Sequence, residues 1–249
     1  GQGTIGLELL DQLPDVEAVV VPVGGGGLIS GVAYAVKSLN PNVKVYGVQA
    51  SGAPSMVNSL HDHKQEKLAK VSTIAAGIAV KEPGSVTFDI CSRYVNDIVT
   101  VSEDEICAAI LHLIESEKMV AEGAGAASVA AVMFNKVPVK GKKTICVVSG
   151  GNIDVTILSR VINRGLAKSG RICTLIIELA DKPGQLLKVC QVIAAQGGNI
   201  VSVYHERNND SKKVTDCVLR LSVETKNQEH VESITKALTD NGLKIRENI

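Results

Sequence analysis

Val-Val-Pro-Val-Gly-Gly-Gly-Gly-Leu-Ile-Ser-Gly, residues 20 to 31, constrains this chain more than any other stretch. An apolar, β-branched run from Val19 to Val23 stops at four consecutive glycines and passes directly into a helix-like pattern. That order predicts a strand, a tight glycine loop and a helix N-terminus. Without Cβ atoms, Gly24, Gly25, Gly26 and Gly27 let backbone N–H groups approach an anion closely. The unpaired amides and positive dipole end of the following helix face the same charge. The stretch lacks the Lys-Ser/Thr of a P-loop and the Gly-x-Gly-x-x-Gly spacing of a dinucleotide site. A flexible linker is the alternative, but a linker is not normally wedged between a buried strand and an amphipathic helix.

A length of 249 residues admits one or two domains. Lys plus Arg and Asp plus Glu balance at 26 each, so nothing points to nucleic acid or an anionic membrane. Aromatics are 2% and Trp is absent, which argues against stacking platforms for single strands. No apolar run approaches the roughly 20 residues of a membrane span, and no signal peptide is visible. Cys91, Cys107, Cys146, Cys173, Cys190 and Cys217 show no Cys-x-x-Cys pairing and mostly lie in apolar patterns. Buried thiols in a reducing cytoplasm are expected, with no disulfide and no metal site.

Up to about residue 167 strands and helices alternate. Strand-like runs are Val16–Val23, Val43–Ala50, Asp97–Val101 and Lys143–Val148. Helical patterns fall at Thr4–Gln12, Leu28–Leu39, Ser55–Leu60, Ser102–Glu117, Gly123–Asn135 and Asp154–Gly165. Ser102 with Glu105 forms a capping box, so Ser-Glu-Asp-Glu is read as a helix start. Such alternation with near-continuous apolar strands predicts an α/β fold, a parallel sheet covered by helices. From residue 168 the order becomes strand (171–179), helix (184–196), strand (199–207), strand (213–224), helix (227–241) and strand (243–247). This is the βαββαβ order of a ferredoxin-like domain. Thr225 with Gln228 is a second expected capping box, and Lys168–Gly170 is the expected hinge.

A second glycine signal, Val147-Val148-Ser149-Gly150-Gly151-Asn152, also ends an apolar strand before a helix. Two such loops in one parallel sheet suit a single ligand at the carboxyl edge of that sheet. With these residues the chain resembles the threonine dehydratase and serine racemase branch of the fold-type II pyridoxal-phosphate enzymes. Gly1-Gln2-Gly3-Thr4, the Val-Pro-Val-Gly-Gly-Gly-Gly-Leu run, Ala76-Gly77-Ile78, Val-Ser-Glu-Asp-Glu-Ile, Glu122-Gly-Ala-Gly and Ser149-Gly-Gly-Asn keep the family's order across residues 1 to 167. The resemblance implies that Gly24, Gly25, Gly26, Gly27 and the Leu28 amide hold the phosphate of pyridoxal 5'-phosphate. It puts Ser149 at the pyridine nitrogen, and Gly77 and Glu122 near the ring or substrate. The implied reaction is β-elimination of water from threonine or serine, giving a 2-oxo acid and ammonia.

Three departures qualify the resemblance. The racemase branch carries acidic metal ligands where this chain has Gln49 and Ser55, which removes that hard-cation site and favours a dehydratase. Ala76 stands where the family usually has an acidic residue before Gly77. The Schiff-base lysine, carried by the family in a Phe-Lys-x-Arg-Gly motif, has no counterpart here; Lys37 reads as a helix-surface residue. The chain begins at Gly1 without Met, so it is expected to lack the N-terminal half of the enzyme and to be inert alone.

Residues 168–249 resemble an ACT domain through Asp181-Lys-Pro-Gly184 and Gly197-Gly-Asn199. That resemblance implies an amino-acid effector, isoleucine or valine, held near Asp181, Gly184 and Asn199 between paired modules of a homo-oligomer. Asp-x-Pro-Gly also reads as a plain strand-to-helix turn with Pro at the helix start. His61-Asp-His63 is expected to be a solvated loop, His205 a surface or interface residue, and Lys140–Lys143 a solvated turn. The alternatives to a lyase are a non-catalytic amino-acid-sensing protein and a serine racemase relative.

Overall fold

The computed structural model describes residues 1–207 and 216–246. Residues 213–215 and 247 of two expected strands lie outside the described residues. The chain divides into two compact units, Gly1–Gly165 and Leu166–Ile249.

The first unit runs α1 (Gly3–Gln12), β1 (Ala18–Pro22), α2 (Gly27–Leu39), β2 (Lys44–Ala50), α3 (Ser55–His61), a 3-10 turn (Ala76–Ile78), α4 (Ser85–Tyr94), β3 (Asp97–Val101), α5 (Glu103–His112), α6 (Gly123–Met133), β4 (Thr144–Cys146) and α7 (Val155–Lys168). The strands form a parallel sheet in the order β3-β2-β1-β4. Every residue of β1 is buried, because helices cover both faces and each alternating side chain finds an apolar partner. Ala18 and Val20 join one core with Ile106, Ile110 and Ala127; Val19 and Val21 join the other with Ile29, Val36 and Met56. Because β1 and β4 are adjacent and parallel, the glycine loop after β1 and Ser149 after β4 leave the sheet at the same edge.

Ser102 caps α5 as expected. Its hydroxyl accepts from the Glu105 N–H and the Glu105 carboxylate accepts from the Ser102 N–H. Burial works against the charge of Glu105, but the Ser102 N–H and the Lys136 ammonium, 3.0 Å away, hold its carboxyl below the usual range. The helix expected over 102–117 changes at His112 into a π turn, Leu113–Glu117, and ends on Lys118 with φ +56°. Helix α4 has no counterpart in the sequence reading.

The cysteines carry thiols. Burial pushes the Cys91 thiol up to about 12 and those of Cys107 and Cys146 up to about 11. Their folded values exceed the unfolded value, so the native state keeps protons that the unfolded chain loses. Their contribution to stability is complete below about pH 9 and is lost as pH rises towards 11 to 12. The denaturant midpoint is expected to fall across that window, and Cys91→Ala to flatten the fall; equal slopes in both proteins would contradict it.

The second unit runs β5 (Ile172–Ala180), α8 (Gln185–Ala195), β6 (Asn199–Glu206), β7 (Asp216–Glu224), α9 (Gln228–Asp240) and β8 (Lys244–Arg246). The order β6-β7-β5-β8 is antiparallel throughout, the ferredoxin-like arrangement. Leu175, Ile177, Leu219 and Leu221 pack against Val189 and Ile193 of α8 and Ile234 and Leu238 of α9. The expected Thr225 capping box is corrected: Asn227 caps α9 by accepting from the His230 N–H at 2.9 Å. The Thr225 hydroxyl instead donates to the Gly170 carbonyl, because Thr225 continues the strand backbone onto Arg171. Among the described residues no helix is long and apolar enough to cross a membrane.

Candidate functional site

Gly24, Gly25, Gly26, Gly27, Leu28, Gly77, Glu122 and Ser149 line one cavity of about 280 Å³ at the carboxyl edge of the parallel sheet. Four segments distant in the chain therefore converge, the two glycine-marked loops among them. The loop is fixed from behind. Gly24 backs onto Gly77, Ile78 and Val80, where a Cβ would come within 3.2 Å of the Ile78 Cα. The Gly25 carbonyl accepts from the Gly84 N–H at 3.1 Å and from the Thr87 hydroxyl at 2.5 Å. Gly26 has φ +91° and precedes α2 as its N-cap without a side-chain cap. Its missing Cβ leaves room for Met56 and Thr87. Gly27 opens α2, and the place its Cβ would occupy is empty to 4 Å.

The opposite wall is made by the first turn of α6 and the turn after β4. The Glu122 N–H donates to the Gly150 carbonyl at 3.0 Å. A Cβ on Gly125 would lie 2.5 Å from that carbonyl oxygen, so the two backbones touch only because Gly125 has no side chain. The Glu122 carboxylate occupies the room left by Gly77 and Gly150; Cβ atoms there would stand 3.1 and 2.5 Å from its Oε1. The Ser128 hydroxyl donates to the Val147 carbonyl at 2.8 Å and ties α6 to the end of β4.

No basic side chain lines this cavity among the described residues. Uncapped amides at the start of α2 give that end of the cavity a partial positive charge, which suits a compact dianion bound by neutral donors. An open cradle that a methyl group would fill, a helix start with no side-chain acceptor and a serine in the same lining fit a phosphorylated ring such as pyridoxal phosphate. The sequence reading missed Thr87 and the α4 segment that latches the loop; no local motif marks them.

Asp181 and Gly184 line a second cavity, of about 450 Å³, with Leu179, His205, Arg207 and Cys217. Asn199 is not brought to it within one copy. It stands at the far end of β6, roughly 20 Å along the strand from His205, and donates to Glu224 at 2.7 Å. His61 is exposed against Asp62, and Lys143 is exposed and paired with Asp15. Gln49 is wholly buried: its Oε1 accepts from the Met56 and Val57 N–H groups at 2.9 Å, and its Nε2 donates to Val23.

Residues 1–151 match the family of pyridoxal-phosphate dependent enzymes, and residues 169–241 match the ACT domain. The chain therefore belongs to the pyridoxal-phosphate dependent enzymes and carries an ACT domain after the cofactor fold. It is 50% identical over 246 residues to an L-threonine ammonia-lyase of Thermotoga maritima, covering 99% of this chain and 61% of that protein. It is 43% identical to an L-threonine ammonia-lyase of Geobacter sulfurreducens, covering 96% of this chain and 59% of that protein. The processed form of threonine deaminase isoform 2 from Solanum lycopersicum superposes with a TM-score of 0.62 at 40% identity, covering 66% of this chain and 48% of that one. The chain thus spans about three fifths of the length of the curated relatives it matches.

Proposed function

We propose that this chain forms the cofactor-phosphate side of a lyase that converts L-threonine to 2-oxobutanoate and ammonia, and L-serine to pyruvate and ammonia. The observation that carries the reading is the convergence of the glycine loop, Gly77, Glu122 and Ser149 on one cavity. Identity of 50% and 43% to threonine ammonia-lyases supports the substrate.

Gly24, Gly25, Gly26, Gly27 and the Leu28 amide would hold the phosphate, and Gly77 and Glu122 would border the ring and substrate. Bound pyridoxal phosphate supplies an electron sink for the pair left at the substrate Cα. Ser149 would offer the pyridine nitrogen a neutral hydroxyl, which does not stabilise a protonated ring as a carboxylate would. A pair held less firmly would favour loss of the substrate's β-hydroxyl. Threonine loses water across Cα–Cβ, and the released enamine takes water back to give the 2-oxo acid and ammonia.

No lysine lines the cavity among the described residues. Lys37 stands ten residues along α2 from Gly27, roughly 15 Å away along the axis, with its ammonium on the Pro41 carbonyl. The 249 residues alone are expected to bind pyridoxal phosphate without a covalent bond and to release no 2-oxobutanoate from threonine. Cofactor absorbance titration and a 2-oxo-acid assay check this. Turnover by the isolated chain would overturn the assignment of the missing base, and failure to bind the cofactor would overturn the site.

In the second unit, the start of α8 and Asp181 suit the carboxylate and ammonium of an amino-acid effector, with isoleucine or valine as the expected ligand. Asn199 would join such a site from a second copy in a homo-oligomer. An effector preferring one of two domain arrangements would then change activity.

A further inference from the structure

The cavity beside Asp181 also contains His205 and Cys217, two side chains that an amino-acid ligand does not explain. Asp181 follows β5, His205 lies on β6 opposite Leu219, and Cys217 begins the described side chains of β7 opposite Leu179. One ligand atom from each lies within 4.8 Å of the others. His205 Nε2 is 3.8 Å from Asp181 Oδ1, too far for a hydrogen bond. Arg207 Nε stands 3.1 Å from the other oxygen, Oδ2, and so turns Oδ1 towards the imidazole. Cys217 is only 3% exposed and is part of the cavity lining.

We propose that Asp181, His205 and Cys217 form a binding site for a borderline-soft divalent cation of the zinc class, with a remaining position for water. Thiolate, imidazole and carboxylate together are a donor set suited to such a cation and poorly suited to magnesium or calcium. Bond lengths of about 2.0 to 2.3 Å around a tetrahedral centre put ligand atoms roughly 3.3 to 3.6 Å apart. The group therefore closes on a cation by small side-chain movements. Arg207 is the support that orients the ligating carboxylate. On binding, the Cys217 thiol releases its proton to solvent, and the cation's two positive charges are met by the thiolate and the carboxylate. Occupancy ties the turn between β5 and α8 to β6 and β7.

The test is titration of the full 249-residue chain with Co²⁺, followed by displacement with Zn²⁺. One equivalent of Co²⁺ is expected to raise a near-ultraviolet thiolate-to-cobalt band that Zn²⁺ removes. Cys217→Ser is expected to abolish the band and weaken Zn²⁺ binding by more than roughly 100-fold, beyond the loss of a hydrogen-bonded support. Cys190→Ser is expected to leave both unchanged. His205→Ala, at a partly exposed position, is expected to keep the fold and lower affinity, which keeps the test decisive if the Cys217 variant does not fold. Absence of the band, its persistence in Cys217→Ser, or unchanged affinity in His205→Ala would overturn the proposal. Amino-acid binding needs no thiol, so its retention or loss in Cys217→Ser judges the effector reading separately.

Discussion

Gly27→Ala is expected to keep the native fold and to weaken pyridoxal-phosphate binding about 100-fold, roughly 2.8 kcal/mol. The place of its Cβ is empty to 4 Å, so the methyl meets no protein atom. Alanine in the first turn of a helix also loses less chain entropy than glycine, so stability holds or rises slightly. What the methyl enters is the cavity that Gly27 lines, beside the α2 amides proposed to take the phosphate. Gly26→Ala separates the two effects. At φ +91° an L-residue is strained, and its Cβ would stand 2.6 Å from Met56 Cε and 2.9 Å from the Thr87 Cβ and hydroxyl. Displacing Thr87 also breaks its bond to the Gly25 carbonyl. A loss of about 2–4 kcal/mol is expected, or roughly 5–10 °C in Tm for a unit of this size, together with the loss of cofactor binding. Thermal unfolding and cofactor titration of both variants check this. Parent-like cofactor affinity in Gly27→Ala would remove the phosphate from this loop.

The parts of this design that are legible in sequence are those written locally. Strand β3 spans Asp97–Val101, the range its apolar run predicts, and β1 and β2 start within two residues of the expected positions. Strands buried on both faces leave continuous apolar runs that need no partner to be seen. The cradle is legible for a similar reason: each glycine signal falls in the loop between a strand and the next helix. Helix α4 is hidden because only Cys91 of its ten residues is fully buried, so its apolar stripe is faint. Its purpose, the Thr87 bond to Gly25, spans 62 residues. Thr225 and Gln228 satisfy the spacing of a capping box, yet Asn227, closer to the first helical turn, takes the cap. Asp181, His205 and Cys217 have no readable spacing, because the end of β5 and two further strands deliver them and the sheet order makes them neighbours.

Gln49→Ala is expected to cost about 2–4 kcal/mol and to loosen the cofactor cradle, although Gln49 does not line the cavity. In sequence, Gln49 and Ser55 are notable for what they are not, the acidic pair of the racemase branch. The structure gives Gln49 a different task. Its Oε1 caps α3 at Met56 and Val57, and its Nε2 holds the carbonyl of Val23, the residue before the glycine loop. Alanine removes three hydrogen bonds to backbone groups, two of them buried and one half-buried, and each such loss costs roughly 0.5–1.5 kcal/mol net. Gln49→Glu is expected to fall between the parent and alanine. A carboxylate still accepts from the two N–H groups and is favoured at a helix start, but it cannot donate to Val23 when ionised. Ser55→Ala provides the contrast at the same helix. The Ser55 hydroxyl is buried without a hydrogen-bond partner, so its removal is expected to be neutral or to stabilise by about 1 kcal/mol. Denaturant unfolding of the three variants, with cofactor titration, decides the matter. If Gln49→Ala matched Ser55→Ala in stability and cofactor affinity, the strut between α3 and the phosphate loop would have no energetic meaning.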